Sequence, residues 1–197
     1  RIFFFDKTSL GSLSFFATLI HCPKESFSKK NQEILEGFIG QKKNIISFSQ
    51  NAQYCKFLLN KAHLFLSKKK FVVPCLATDV VILDILATYL KHVFPNAKKL
   101  KFGLSQSFYQ AFSSDQSLFF SEDLMSPIFL KSGVIRKKNS PLQKFIPIPF
   151  VNRPALGSLI STAAIPTIWE STKIPNIEVY KEVSGVEIKF SQIMSCL

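Results

Sequence analysis

The feature that most constrains the fold is a change in hydrophobic period, which occurs twice in the first half of the chain. Residues 44–48 form a short, apolar, β-prone run, and from Asn51 onward apolar residues recur at i, i+3 and i+4. Residues 71–76 repeat the strand-like pattern, and a helical pattern follows over 78–93. With a third short strand candidate at 98–102, the order is βαβαβ, which favours a parallel sheet with helices on its faces.

We therefore predict an α/β fold of three layers, with a mainly parallel sheet and helices on both faces, as in flavodoxin-like and Rossmann-like domains. A length of 197 residues with 47% hydrophobic residues suits a single domain over 1–197. Within it, we expect residues 1–30 to form an N-terminal arm and helix, and residues 103–143, where pattern is weak, to be an irregular excursion. Further predicted elements are a strand at 145–150, a helix at 155–164, a strand at 165–169 and a terminal helix at 186–194.

The most apolar stretch, residues 71–90, tests whether the chain crosses a membrane. It contains Pro74 and two aspartates, Asp79 and Asp84. Each aspartate near the centre of a spanning helix would cost about 2.5 to 3.5 kcal/mol. We therefore predict no transmembrane segment, but an internal strand and a helix that begins at Thr78 and Asp79. In that helix Asp84 is expected to point away from the core, and the residues expected to face the core are Ile82, Ile85, Leu86 and Tyr89.

Motifs for cofactor chemistry and catalysis are missing from the sequence. The seven glycines form neither a dinucleotide-binding G-x-G-x-x-G nor a P-loop, and no serine lies in a G-x-S-x-G elbow. Carboxylates are sparse, since Asp79 and Asp84 are five residues apart on one helix and do not share a face cleanly. The four cysteines lack zinc-ligand spacing and are expected to be buried free thiols: Cys22, Cys55, Cys75 and Cys196. We predict no catalytic residue, cofactor, metal or small-molecule substrate.

Charge is the strongest functional signal. Lys and Arg number 25 against 13 Asp and Glu, a net charge of +12, which favours a polyanionic partner, either nucleic acid or an acidic membrane surface. Only three of the 25 are arginine, a bias typical of AT-rich genes, so solvation of an apolar surface is an alternative explanation. Solvation alone would accept Glu as readily as Lys, and we therefore favour RNA. The predicted RNA-binding residues are Lys29, Lys30, Lys42, Lys43, Lys68, Lys69, Lys70, Lys98, Lys99, Lys101, Arg136, Lys137 and Lys138.

Several segments resemble one protein family. Residues 31–48 are similar to the opening of the S-two family of small-subunit ribosomal proteins, with Tyr-Ile-x-Gly-x-Arg and then Ile-Ile-Asp-Leu. Ile39, Gly40, Lys42, Ile45 and Ile46 occupy matching places, and Ser47 stands where the family has Asp. The resemblance extends to His21, which is similar to the family's Gly-His, and to residues 59–66, 70–78, 163–172 and 180–195.

This resemblance implies a divergent organellar member whose helical-hairpin insertion is reduced or absent. The expected function is that of a structural constituent of the mitochondrial small ribosomal subunit, a ribonucleoprotein component that supports translation. Its partners would be small-subunit ribosomal RNA and neighbouring ribosomal proteins, and its location the mitochondrial matrix in preference to a plastid. Two alternatives stay open: a basic, membrane-associated organellar accessory protein, and a degenerate α/β nucleotide-binding enzyme.

Overall fold

Helices and strands alternate along the chain and form two separate sheets, which confirms a mixed α/β fold. Contacts divide the chain into two compact units, residues 1–77 and 78–197, and each is described by itself. The computed structural model describes residues 17–22, 29–41, 43–66, 70–105, 107, 127–138, 145–149 and 154–183. The predicted terminal helix at 186–194 and most of the predicted N-terminal arm lie outside these ranges.

The first unit contains a three-stranded parallel sheet in the order β1-β2-β3. The predicted strand at 44–48 and the helix after Asn51 are both confirmed. Asn51 caps that helix, because its side-chain oxygen accepts the backbone N–H groups of Gln53 and Tyr54 at 2.8 and 3.4 Å. The elements are β1 (Thr18–His21), α1 (Lys29–Gly40), β2 (Asn44–Ser47), α2 (Ala52–Lys61), α3 (His63–Leu66) and β3 (Val72–Val73).

The core of the first unit surrounds the central strand β2. Ile45 of this strand is fully buried, and so are Leu35 of α1 and Leu58 of α2. Phe38 and Tyr54 complete the same cluster. Both helices therefore bury their apolar faces together with the middle strand, as the helical spacing of the sequence predicts.

The second unit contains a six-stranded sheet around β9 (Ile177–Glu182). Strand β4 (Leu100–Leu104) pairs parallel to β9, whereas all the other strand pairs are antiparallel. The expectation of a mainly parallel sheet is thus met in the first unit and not in the second. Short connections account for the pairs β5–β6 and β7–β8, because strands joined by a few residues pair antiparallel, whereas β8 and β9 are antiparallel although a helix joins them. The remaining elements are α4 (Thr78–Val93), β5 (Ile128–Lys131), β6 (Val134–Lys137), β7 (Ile146–Pro149), β8 (Pro154–Leu159) and α5 (Ala164–Thr172).

A hairpin formed by β5 and β6 lies inside the stretch 103–143, so the prediction of irregular structure is wrong for this part of it. Ser132 and Gly133 form the turn, with φ angles of 52° and 76°. Two consecutive positive φ angles define the turn type whose twist suits a two-residue hairpin. Trp169 packs over this turn, since a Cβ at Gly133 would lie 3.2 Å from its ring.

Two predicted elements near the C-terminal end are exchanged in type. The helix predicted at 155–164 is wrong, since its first five residues belong to strand β8. The strand predicted at 165–169 is also wrong, since these residues lie in helix α5. Pro166 is the third residue of α5, where its missing N–H falls among the four that have no intrahelical acceptor. In β8, a Cβ at Gly157 would come within 2.0 Å of the Ile148 side chain on the neighbouring strand.

Helix α4 confirms the predicted strand-then-helix reading of residues 71–90, with Asp79 in its first turn. Its predicted core face is wrong, because the buried residues are Val80, Leu83 and Ala87, and α4 packs against α5. Asp84 lies at the side of that face and accepts a hydrogen bond from Ser171 of α5 at 2.6 Å. Of the residues expected in the core, Ile82 is half-buried and Ile85, Leu86 and Tyr89 are exposed.

Candidate nucleic-acid interface

Most of the predicted RNA-binding cations that the structure describes reach the surface. Lys43 and Lys138 are half-buried. The side chain of Lys30 and the residues Lys42, Lys68 and Lys69 lie outside the described part of the chain. The exposed cations are Lys29 and Lys70 in the first unit, and Lys98, Lys99, Lys101, Arg136 and Lys137 in the second.

One carboxylate organises the lysines of strand β4. The Nζ atoms of Lys99 and Lys101 each lie 3.5 Å from the same oxygen, Oε2 of Glu178 on β9. Tyr180 donates its O–H to that oxygen at 3.1 Å, and the ammonium of Lys101 lies 5.8 Å from the centre of the Tyr180 ring. Two cations therefore share one anion, which leaves a net positive charge at this point of the surface.

Burial and the same carboxylate both favour the protonated form of Tyr180. Burial, together with the charge of Glu178 and the hydrogen bond to it, raises the pKa of Tyr180 to about 12. At neutral pH the phenol is therefore an uncharged hydrogen-bond donor. Tyr180 is buried, with 8% of its surface exposed, and its ring packs beneath the ammonium of Lys101.

Strand pairing places Arg136 on the same side of the sheet as this cluster. Arg136 is the cross-strand partner of Phe129, and the neighbouring Leu130 pairs with Ile177 of β9. Cross-strand partners project to one face and successive residues alternate, so Leu130 with Ile177 faces one way and Phe129 with Glu178 faces the other. Arg136 therefore shares a face with Lys101, although the two residues are 35 positions apart.

We call this surface the basic sheet face and define it by Lys99, Lys101, Phe129, Arg136 and Tyr180. Four adjacent strands, β6, β5, β9 and β4, contribute to it. At about 4.8 Å per strand spacing, its outer cations are separated by roughly 14 Å of sheet. The basic sheet face brings together two charge clusters that are far apart in the sequence, Lys99 with Lys101 and Arg136. It also contains two aromatic residues, Phe129 and Tyr180, that were not among the predicted RNA-binding residues.

A second polar group lies at the carboxyl ends of the parallel strands in the first unit, and sequence reasoning missed it as a unit. His21 and Ser47 are paired in register on β1 and β2, and His21 Nδ1 lies 3.0 Å from Ser47 Oγ. The Ser47 hydroxyl also accepts the backbone N–H of Ser49 at 3.4 Å. The imidazole contacts the ring of Tyr54, with 5.1 Å between ring centres.

Burial decides what this group can do chemically. It lowers the pKa of His21 to about 4, so the imidazole is neutral at physiological pH. Ser47 has no exposed surface, and its hydroxyl is therefore closed to any substrate in this arrangement. The contact between His21 and Ser47 joins strands β1 and β2. Each of these two residues was matched to a different segment of the S-two family pattern. Parallel α/β sheets commonly bind ligands at the carboxyl ends of their strands. The carboxyl ends of β1 and β2 are therefore the position in the first unit where a ligand would be expected.

The predicted burial of the cysteines is confirmed for two of the four. Cys55 and Cys75 are buried free thiols as predicted, Cys22 is exposed against prediction, and Cys196 lies outside the described ranges. Within those ranges, no three His, Cys, Asp or Glu side chains come together as a metal site. Among the described helices, none is long and apolar enough to span a membrane.

No protein-family profile matches this chain, and no curated protein is recognisably similar to it in sequence.

Proposed function

We propose that this protein is a non-catalytic structural constituent of a mitochondrial small ribosomal subunit, and that it binds ribosomal RNA through its lysine-rich surface and so supports translation. The observation that carries the proposal is the basic sheet face, where Lys99, Lys101 and Arg136 reach solvent together. Exposed cations bind RNA chiefly through its phosphates, with release of counterions. Phe129, which is half-buried on the same face, would supply the aromatic contact to an unpaired base.

The positions of other cations support a binding role over simple solvation. Lys29 and Lys30 open helix α1, which has no acidic residue in its first turn. The N-terminal end of a helix carries partial positive charge, so cations there oppose helix stability. Their presence at that end is better explained by an external polyanion than by the needs of the fold.

The resemblance to S-two ribosomal proteins supplies the particular partner. In this proposal the protein contacts small-subunit ribosomal RNA and neighbouring ribosomal proteins in the mitochondrial matrix. The fold in this proposal is a three-layer α/β domain with helices on both faces. No residue takes part in catalysis, and no cofactor or small-molecule substrate is required.

Sedimentation of the native protein tests the ribosomal assignment. A tagged full chain, expressed in its source cells, should co-sediment with small ribosomal subunits through a sucrose gradient at moderate salt. EDTA should leave the protein with the separated small subunit, whereas RNase digestion should release it to the top of the gradient. Sedimentation as a free protein in untreated lysate, or recovery only in carbonate-resistant membranes, would refute the proposal.

Salt dependence tests the interface itself. Replacing Lys101 and Arg136 by alanine should lower the slope of log affinity against log salt by roughly 1.4 to 1.8, since each phosphate contact contributes about 0.7 to 0.9. Filter binding to labelled small-subunit ribosomal RNA measures the slope. The matched control is Lys56→Ala with Lys61→Ala, which removes the same charge from helix α2. Equal slopes for both double variants would remove the basic sheet face from the interface.

A further inference from the structure

Asn176 connects two segments that both contribute cations to the basic sheet face. It directly precedes β9, and its side-chain amide uses both its donor and its acceptor. Its Nδ2 donates to the backbone carbonyl of Lys98 at 2.8 Å, and its Oδ1 accepts the backbone N–H of Ser132 at 3.1 Å. Lys98 leads into β4, and Ser132 lies in the turn between β5 and β6. One side chain therefore links the strand of lysines to the hairpin that carries Arg136.

The backbone around Asn176 joins the same two segments. Its carbonyl accepts the N–H of Leu100 at 2.8 Å, and the carbonyl of Pro175 accepts the N–H of Gly133 at 2.9 Å. All of these residues belong to the second unit. The turn of the hairpin and the start of β4 are therefore both held against the start of β9, although the partners of the Asn176 side chain are 44 and 78 positions away in the sequence.

The two strands beside the start of β9 depend on these contacts to different degrees. Among the described residues, β4 pairs with β9 over five residue pairs, whereas β5 pairs with it only between Leu130 and Ile177. A single pair specifies the register weakly, and a slip of one residue would turn every side chain of the hairpin to the opposite face of the sheet. The position of Arg136 therefore depends on hydrogen bonds outside the strand ladder.

Hydrogen bonds at both ends of the hairpin provide this support. At its base, the N–H of Ile128 donates to Oγ of Ser161 at 3.1 Å. At its turn, Asn176 and Pro175 accept two consecutive N–H groups. Among these acceptors, the Asn176 side chain is the one that also bonds to the segment leading into β4. It therefore fixes the hairpin, and Arg136 with it, relative to the lysines of β4.

We propose that Asn176 is a positioning residue of the basic sheet face. It acts through Arg136: by holding the hairpin in register and close to β4, it keeps Arg136 and Lys101 on one face, where one RNA segment contacts both. This inference rests on the proposed RNA-binding function. Asn176 itself does not need to touch the RNA. Groups that are held in place before binding lose less conformational entropy on binding, which favours simultaneous contacts with phosphates.

A neutral substitution that changes the salt dependence of binding tests this role. Asn176→Ala removes both side-chain hydrogen bonds and no charge. Because RNA would then contact Arg136 less often, the slope of log affinity against log salt should fall by up to about 0.7 to 0.9, the contribution of one phosphate contact. Filter binding of the full chain to labelled small-subunit ribosomal RNA measures the slope. A residue that contributes only to stability would lower the midpoint of urea unfolding and leave the slope of the folded protein unchanged.

A double variant shows whether Asn176 acts through Arg136. Arg136→Ala alone should lower the slope by about 0.7 to 0.9. Adding Asn176→Ala should lower it no further, because the contact that Asn176 positions is already absent. Additive losses would mean that Asn176 affects binding by another route, and would overturn the proposal.

The matched control is Asn51→Ala in the first unit. The Asn51 side chain also makes two hydrogen bonds, both to backbone N–H groups at the start of α2, so the substitution removes an identical side chain and as many bonds. It should leave the slope at the wild-type value. Circular dichroism establishes that each variant is folded under the binding conditions. If Asn176→Ala does not fold, Asn176→Ser takes its place, because its hydroxyl is one bond shorter than the amide and carries a single polar atom.

Hydrogen exchange with mass spectrometry gives a second readout that does not use RNA. In Asn176→Ala, amides of the hairpin over 128–137 should exchange faster, whereas those of β4 should stay protected by their pairing with β9. Unchanged protection of the hairpin would overturn the proposal, because Asn176 would then not hold it.

The salt slopes separate failure of this proposal from failure of the proposed function. An unchanged slope in Asn176→Ala, or an equal fall in Asn51→Ala, overturns the positioning role while the Lys101/Arg136 double alanine variant still shows its lower slope. If that double variant also keeps the wild-type slope, the basic sheet face is not the RNA interface and both proposals fail.

Discussion

The two sheets place their polar side chains in opposite environments, one buried and one exposed. In the parallel sheet of residues 1–77, His21 and Ser47 meet at the strand ends, and Ser47 is fully buried. In the mostly antiparallel sheet of residues 78–197, Lys99 and Lys101 are exposed beside Glu178. A buried polar pair adds to the definition of a fold, whereas exposed charges contribute little to stability and remain available for a ligand. The first polar group therefore contributes to the fold, and the second is the one that we propose to bind RNA.

The largest expected effect concerns the two cores. Ile45 on β2 and Ile177 on β9 are both fully buried, and alanine at either position should lower the free energy of unfolding by about 2 to 5 kcal/mol. Hydrogen exchange with mass spectrometry should show loss of protection first in the unit that carries the substitution. If Ile45→Ala and Ile177→Ala produced the same exchange pattern over the whole chain, the division into two units would not hold energetically.

The next effect is a pH dependence that belongs to the first unit alone. The pKa of His21 is lowered from 6.5 to about 4 by burial, so the unfolded chain binds a proton that the folded chain does not. The contribution of neutral His21 to the free energy of unfolding is complete above about pH 6.5. It is lost as the pH falls toward 4, by at most about 1.4 kcal/mol per pH unit. Urea unfolding between pH 4 and 7 should lose this slope in His21→Asn.

The control for this effect is His63→Gln, which replaces an exposed histidine in α3. It should keep the slope of the wild-type protein. An equal slope for wild type and His21→Asn would mean that His21 is as accessible to protons in the folded chain as in the unfolded one.

A pair of serine substitutions compares buried and exposed polar contacts directly. Ser47→Ala removes the partner of His21 and of the Ser49 N–H, and should cost about 1 to 3 kcal/mol because buried groups lose their hydrogen bonds. Ser171→Ala removes the exposed contact to Asp84 and should cost about 0.5 kcal/mol. Chemical denaturation of both variants measures the difference, and an equal or reversed order would contradict the contrast between the two sheets.

The smallest expected effect is on the RNA affinity of the basic sheet face. Glu178→Gln removes the anion shared by Lys99 and Lys101, so RNA affinity should rise by about twofold to fivefold, with stability changed by less than about 1 kcal/mol. Glu170→Gln is the control, because Glu170 pairs with Lys173 outside this face. A fall in RNA affinity with Glu178→Gln would show that the carboxylate positions the lysines more than it neutralises them.

The sequence predicted those elements in which local pattern and tertiary packing agree. Strand β2, helix α2 with its Asn51 cap and helix α4 with Asp79 in the first turn all have the predicted type. In each case the periodicity extends over the whole element, and a capping or acidic residue marks its start. The cationic composition, and with it the expectation of a polyanionic partner, is also a property of the sequence alone.

Other features depended on contacts that no local pattern contains. The β-branched residues of 165–169 favour a strand, yet they form helix α5, which buries Ile165 and Ile168 and leaves Pro166 in its tolerant first turn. The exposed side of α4 could not be distinguished from its buried side, because both are apolar.

Strand order alone places Lys101 and Arg136 on the same face of the sheet. It required β9 to lie between β4 and β5, and this pairing links residues 35 positions apart. Sequence determined which segments are regular and how much positive charge the chain carries, since both follow from local periodicity and residue type. Tertiary structure alone decided which charges share a face and which side of α4 packs against α5, because strand order and helix orientation depend on long-range packing.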